Sequence, residues 1–214
     1  MFSISIILSF QERYINKIIT YVILWDWLFH LKALGYPQFK SLVICMPKSP
    51  KIPAELVNLA TTGNSDAQFE LAELYMQSEN EDDITFAEEW ALKAAALGHV
   101  EAVYWLGEGY AFYAKELREE DPSEAETYFG HAHHWLKQAA ELKHPSAILE
   151  LAGFYRRGDV VEKDGAKSIE LVQQAAELGE AQAMRDLAFI YENALGVDTD
   201  EAKAKYWHDK TDAA

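Results

Sequence analysis

The sequence holds a single cysteine, Cys45, so no disulfide framework can form within the chain. That usage fits a reducing compartment. The neighbours Ile44 and Met46 offer no base to activate the thiol, so no nucleophilic role is expected of it. Basic charge is scarce: 19 Lys and Arg stand against 35 Asp and Glu, a net charge of −16. Such a chain repels phosphate backbones and anionic headgroups, which excludes nucleic acid as an expected partner. Six prolines and eleven glycines are too few for a long low-complexity linker. The apolar stretch from Ile18 to Leu31 is 14 residues long and is interrupted by Asp26, short of the roughly 20 residues a membrane-spanning helix needs. Catalytic motifs are missing too. There is no phosphate-binding glycine loop, no nucleophile elbow and no His-Glu-x-x-His, and Gly107-x-Gly109 reads as packing inside a helix. Pairs such as Asp82-Asp83 and Glu88-Glu89 carry no weight as acid–base dyads in so acidic a chain.

What is present divides near residue 46. Residues 1–45 are rich in Ile, Leu, Phe, Tyr and Trp and hold one alanine, Ala33. Their charges are Arg13, Lys17, Lys32 and Lys40 against Glu12 and Asp26, so nearly all the acidity lies after Met46. Three readings stand side by side: a membrane anchor or export signal, an amphipathic helix that caps the rest of the chain or lies on a membrane, and a misplaced start of translation with the protein beginning at Met46. The first lacks a basic leader, a cleavage site and sufficient length. Pro47, Pro50 and Pro53 predict an extended lead-in. The expected division is therefore 1–53 as an apolar segment with its lead-in, and 54–214 as the folded domain.

After Ala54 the sequence repeats itself. Ala67, Ala102, Ala147 and Ala183 anchor four registers. Four residues before each stands Gly63, Gly98, Lys143 or Gly179, and four after stands Leu71, Leu106, Leu151 or Leu187. The next position is small (Ala72, Gly107, Ala152, Ala188), and eight after the anchor comes Tyr75, Tyr110, Tyr155 or Tyr191. Trp90, Trp135 and Leu171 each precede the glycine column by eight, with Ala94-Ala95, Ala139-Ala140 and Ala175-Ala176 between, and Trp207 opens a fourth copy. Leu59-Ala60 reads as the tail of a preceding unit. Spacings of four and eight place these residues on one helical face. The glycine marks a helix end, because it takes the left-handed conformation without a Cβ clash. Each unit is thus predicted to be two antiparallel helices, giving an all-α fold, an α/α superhelical solenoid of antiparallel helix pairs. The anchors lie 35, 45 and 36 residues apart, so the second unit carries extra residues between Tyr110 and Trp135, expected in a loop or in lengthened helices with a cap at Ser123.

The pattern A-x3-L-[AG]-x2-Y, a turn, then A-x2-W-x3-AA-x2-G resembles the Sel-one-like repeat, a relative of the tetratricopeptide repeat. Tyr155-Arg156-Arg157-Gly158 and Gly196-Val197 match the family's turn, and Asp164 and Asp200 each follow their tyrosine by nine. Lys143, Leu171 and the long second unit depart from it. The resemblance implies a superhelix with a concave groove used for protein–protein contact. Some bacterial members are secreted and disulfide-rich; repeats without cysteine fit that branch poorly.

By the tetratricopeptide-like geometry, positions two, six and nine after each anchor face the groove. They are Phe69, Tyr104, Leu149 and Arg185; Glu73, Glu108, Gly153 and Phe189; Met76, Ala111, Arg156 and Glu192. Aromatics among carboxylates suit a partner protein or peptide that is apolar with some basic residues. The competing reading has these side chains packing on one another. His131 and His134, three apart on one helix, form a candidate metal pair with no third ligand at a known spacing. The expectation is a protein–protein interaction module or adaptor, not an enzyme, with no cofactor. A small hydrolase on the same scaffold and a membrane-tethered adaptor are the alternatives. The expected location is the cytoplasm, or the membrane or exterior if residues 1–45 direct it there.

Overall fold

The computed structural model describes residues 51–78 and 81–212. Residues 1–50, and with them all three readings of the N-terminal segment, lie outside the described residues. Within the described residues there are only helices: α1 (Ala54–Thr61), α2 (Ser65–Met76), α3 (Glu81–Ala96), α4 (Val100–Leu117), α5 (Pro122–Glu141), α6 (Pro145–Arg157), α7 (Gly165–Glu177), α8 (Ala181–Glu192) and α9 (Glu201–Asp212). Extensive contacts run between consecutive helices, closest within the hairpins α2–α3, α4–α5, α6–α7 and α8–α9. This is the nearest-neighbour pattern of a repeat array.

The repeated columns build the core. Ala67, Ala102, Ala147 and Ala183, with Leu71, Leu106, Leu151 and Leu187, are buried, and so is the small column Ala72, Gly107, Ala152 and Ala188. Tyr75, Tyr110, Tyr155 and Tyr191 are half-buried at the edge. On the second helices Trp90 and Trp135 are half-buried, and Leu171 and Trp207 are buried. Gly107 is needed for its lack of a side chain. A Cβ there would lie 2.8 Å from Leu136 Cγ and 3.0 Å from the Leu136 backbone nitrogen.

One turn is used four times. Gly98 N–H donates to the Ala95 carbonyl and His99 N–H to the Ala94 carbonyl, the paired bonds of a Schellman cap. The same pair recurs from Gly63 and Asn64, from Lys143 and His144, and from Gly179 and Glu180. Gly63, Gly98 and Gly179 have φ of +94°, +82° and +98°, and Lys143 takes φ +64° at the same point. A second strained position is Val160, at φ +63°, where Val161 N–H donates back to the Asp159 carbonyl. Five residues after Tyr191, the corresponding place in the next unit holds Gly196, at φ +77°. A left-handed non-glycine residue costs about 1–2 kcal/mol. Lys143→Gly and Val160→Gly are each expected to stabilise the protein by about 1 kcal/mol, read as a rise in urea midpoint.

The extra residues of the second unit lengthen both of its helices, α4 to 18 residues and α5 to 20. The cap after the insertion is Asp121, whose side chain accepts from Glu124 N–H at 3.0 Å with Pro122 in the first turn. Ser123, expected there from its sequence, lies inside the helix. Pro122 explains the shift: its ring presets helical φ at the first position and needs no hydrogen-bond acceptor.

Candidate functional site

The first helices α2, α4, α6 and α8 each begin at the residue that ends the preceding turn. His99 Nδ1 accepts from Ala102 N–H at 3.1 Å, and His144 Nδ1 from Ala147 N–H at 3.2 Å. Asn64 caps α2 in the same way, accepting from Ala67 N–H, whereas Glu180 caps α8 by accepting from Gln182 N–H. These caps also tie neighbouring units together. His99 Nε2 lies 3.5 Å from Asp66, His144 Nε2 3.2 Å from Glu101, and Ser146 Oγ donates to Glu180 at 2.6 Å. An Nδ1 that accepts leaves the neutral ring's proton on Nε2, where it meets the carboxylate.

Two of the groove residues pack on these caps. Phe69 lies against the His99 ring, centroids 4.8 Å apart, and Tyr104 stacks on His144 at 4.2 Å. Both are half-buried, as is Leu149, which packs against the core. Ala111 is buried in the core rather than facing outward. Its place on the exposed side of α4 is taken by the next residue, Phe112, 58% exposed. In a helix the ninth position after the anchor sits at the margin of the core face and the tenth turns away from it, so a fixed offset misplaces a residue in the longer helix. The remaining groove residues are exposed: Glu73, Met76, Glu108, Arg156, Arg185, Phe189 and Glu192. Glu108 accepts from Tyr104 Oη at 3.0 Å, Arg185 bonds Gln182 on its own helix, and His208 pairs with Glu192 at 2.9 Å. The Arg157 side chain lies across Gly153, where a Cβ would meet its guanidinium.

Two tyrosines here are held protonated. Burial, reinforced by the Glu108 carboxylate, raises the pKa of Tyr104, and burial with Glu88 raises that of Tyr110, whose hydroxyl donates to Glu88 at 2.6 Å. A folded-state pKa above the unfolded value of about 10 contributes stability that is present below pH 10 and fades as pH rises beyond it. The melting temperature is therefore expected to fall more steeply above pH about 10 than in Tyr110→Phe, and a thermal-melt series in both proteins checks it.

His131 lies against Tyr110 and His134 against Trp135, with Gln138 bonded to the His134 ring. Between them, His133 packs on Phe154, and burial, then Lys137 and His134, lower its pKa. No group of three or more His, Cys, Asp or Glu among the described residues is arranged to hold a metal ion. A shallow cavity of about 260 Å³ lies between the tip of the α4–α5 hairpin (Arg118, Pro122, Ala125, Phe129) and the turn after α6 (Gly158 to Val160). No helix among the described residues is long and apolar enough to cross a membrane.

No curated protein matches the sequence. A protective antigen present in uropathogenic Escherichia coli strains, displaying an SLR fold, superposes with a TM-score of 0.61 at 29% identity, over 74% of this chain and 32% of that one. A Sel1 repeat protein from Oxalobacter formigenes superposes with a TM-score of 0.63 at 24% identity, over 74% of this chain and 61% of that one. The chain thus spans less than two thirds of the length of either. Repeats of this family are generally protein-interaction modules. The Sel1 repeat model itself matches four times, at residues 65–99, 100–144, 145–180 and 181–211. Each match contains one hairpin, from α2–α3 to α8–α9, and the chain belongs to the Sel1 repeat family.

Proposed function

We propose that the exposed face of the first helices binds a segment of another protein, apolar with some basic residues, and that the chain acts as a non-catalytic adaptor. The observation that carries this reading is Phe189, 57% exposed in the last turn of α8. An aromatic ring left in water on a repeat surface is the kind of side chain that anchors partners. Met76 (41% exposed), Arg156 and Arg185 accompany it, with the carboxylates Glu73, Glu108 and Glu192 between. Phe69, Tyr104 and Leu149 form the half-buried floor. The binding unit on this reading is the repeat domain, residues 54–214, and a reducing compartment such as the cytoplasm suits repeats without cysteine.

Met76→Ala with Phe189→Ala tests the face without touching the caps, since neither side chain is buried. Proteins retained from a native extract by the full chain are compared with those retained by the double variant. At least a tenfold loss of a specific partner is expected with the melting curve unchanged, and equal retention by the folded variant would show that this face does not bind.

A further inference from the structure

The second unit carries a surface that the other units lack. Helices α2, α6 and α8 stop nine or ten residues past their anchor alanines, whereas α4 continues to fifteen past Ala102. Its added turns are firmly held. Ala114 is fully buried, Ala125 and Phe129 of α5 are nearly so, and Arg118 bonds Asp159 of the third unit at 2.9 Å while covering the Phe129 ring. Yet this anchored hairpin leaves two aromatic rings in water, Phe112 at 58% and Tyr113 at 48% exposure, edge to face with centroids 6.0 Å apart. Tyr113 is steadied from behind by Tyr128. Insertions in repeat arrays commonly sit on the binding face, and rigid exposed aromatics are typical interface anchors.

The charge around the pair selects the partner. Glu108 and Glu116 stand one helical turn before and after Phe112, and Glu119 lies in the turn that follows α4; all three are exposed. Glu120 and Glu124 come next across the tip, also exposed. Of the two cations here, Arg118 is committed to Asp159, which leaves Lys115. A second copy of this chain would bring carboxylates against carboxylates, and an anionic membrane would be repelled likewise. We propose that the end of α4 beyond Glu108, with the tip of the α4–α5 hairpin, is a docking surface added to the face around Phe189, and that it takes a polypeptide segment in which arginines or lysines flank an apolar side chain. Phe112 and Tyr113 cover the apolar group, and Glu116 and Glu119 meet the cations.

The test uses the full chain, labelled with nitrogen-15, and a synthetic helical 14-residue peptide of leucine and arginine as the probe, beside a version with every arginine replaced by glutamine. The arginine peptide is expected to shift the amides of residues 108–120. Phe112→Ser with Tyr113→Ser is expected to weaken binding at least tenfold. Glu116→Lys with Glu119→Lys should do so independently, and the glutamine peptide should bind at least tenfold more weakly than the arginine peptide. All four substitutions replace exposed side chains, and a melting curve confirms that each variant is folded. Equal binding by either folded variant, no binding of the arginine peptide, or a self-association of the chain that Phe112→Ser abolishes would overturn the proposal. Shifts confined to the neighbourhood of Met76 and Phe189 would overturn it while leaving the first-helix face standing. Loss of retention in the Met76 and Phe189 variant is the separate criterion for that face.

Discussion

Phe154→Ala is expected to destabilise the protein by about 3–5 kcal/mol, the usual cost of emptying a buried aromatic site. Among the described residues, Phe154 is the bulkiest of the fully buried side chains. It joins its own helix, α6, to α5: its ring meets Phe129 of the long hairpin edge-on at 6.0 Å, lies 5.6 Å from His133 of the same helix, and carries the Arg157 guanidinium over its face. Each kcal/mol lowers the melting temperature of a protein this size by about 2–4 °C, so a fall of about 6–20 °C is expected. In a nearest-neighbour array the damage is local first. Hydrogen exchange should accelerate in α5, α6 and α7 before α2 or α9, and uniform acceleration along the chain would show that the units do not couple as described.

Gly107→Leu is expected to cost about 3 kcal/mol or more, at the upper end for overpacking a core. Even the first added carbon would sit 3.0 Å from the Leu136 backbone nitrogen. Backbone cannot rotate away as a side chain can, so α4 and α5 must separate. This hairpin has the most extensive contact surface of the array. Gly109 is the control two residues on: a Cβ there meets nothing within 4 Å. Gly109→Ala should be neutral or slightly stabilising, because alanine has the higher helix propensity by about 1 kcal/mol. Urea unfolding of the pair separates the two causes. Comparable destabilisation at both positions would contradict close packing as the reason for glycine at 107.

The features legible in the sequence were those written within one helix or one turn. The alanine, leucine and tyrosine columns recur because each unit buries the same face, so spacing alone reveals them. The glycine ends are visible for the same reason, and Lys143 shows that the turn dictates its conformation even where glycine is absent. What escaped were contacts made between units. His99 and His144 are uncommon cap residues, and their second role, reaching Asp66 and Glu101 of the unit before, depends on stacking that no local period encodes. Phe69 and Tyr104 carry the offset of groove residues but lie partly under those same histidines. Phe112 and Tyr113 were hidden by the insertion, which lengthens α4 past the point where a register taken from shorter helices applies. Phe154 has no counterpart of its size in the same column, where the other units hold Leu74, Gly109 and Ile190, so the repeat pattern gives no hint of it.

On the proposed function, the first helices, and not the second, present the binding surface. Site-specific photo-crosslinking in the native cell tests this most directly, with the reactive group placed in turn at Phe189 and Met76 on first helices and at Leu92 and Gln173 on second helices, all exposed positions. A discrete adduct of the same mass is expected from Phe189 and Met76, and none from Leu92 or Gln173. Adducts from the second-helix positions alone would contradict the claim.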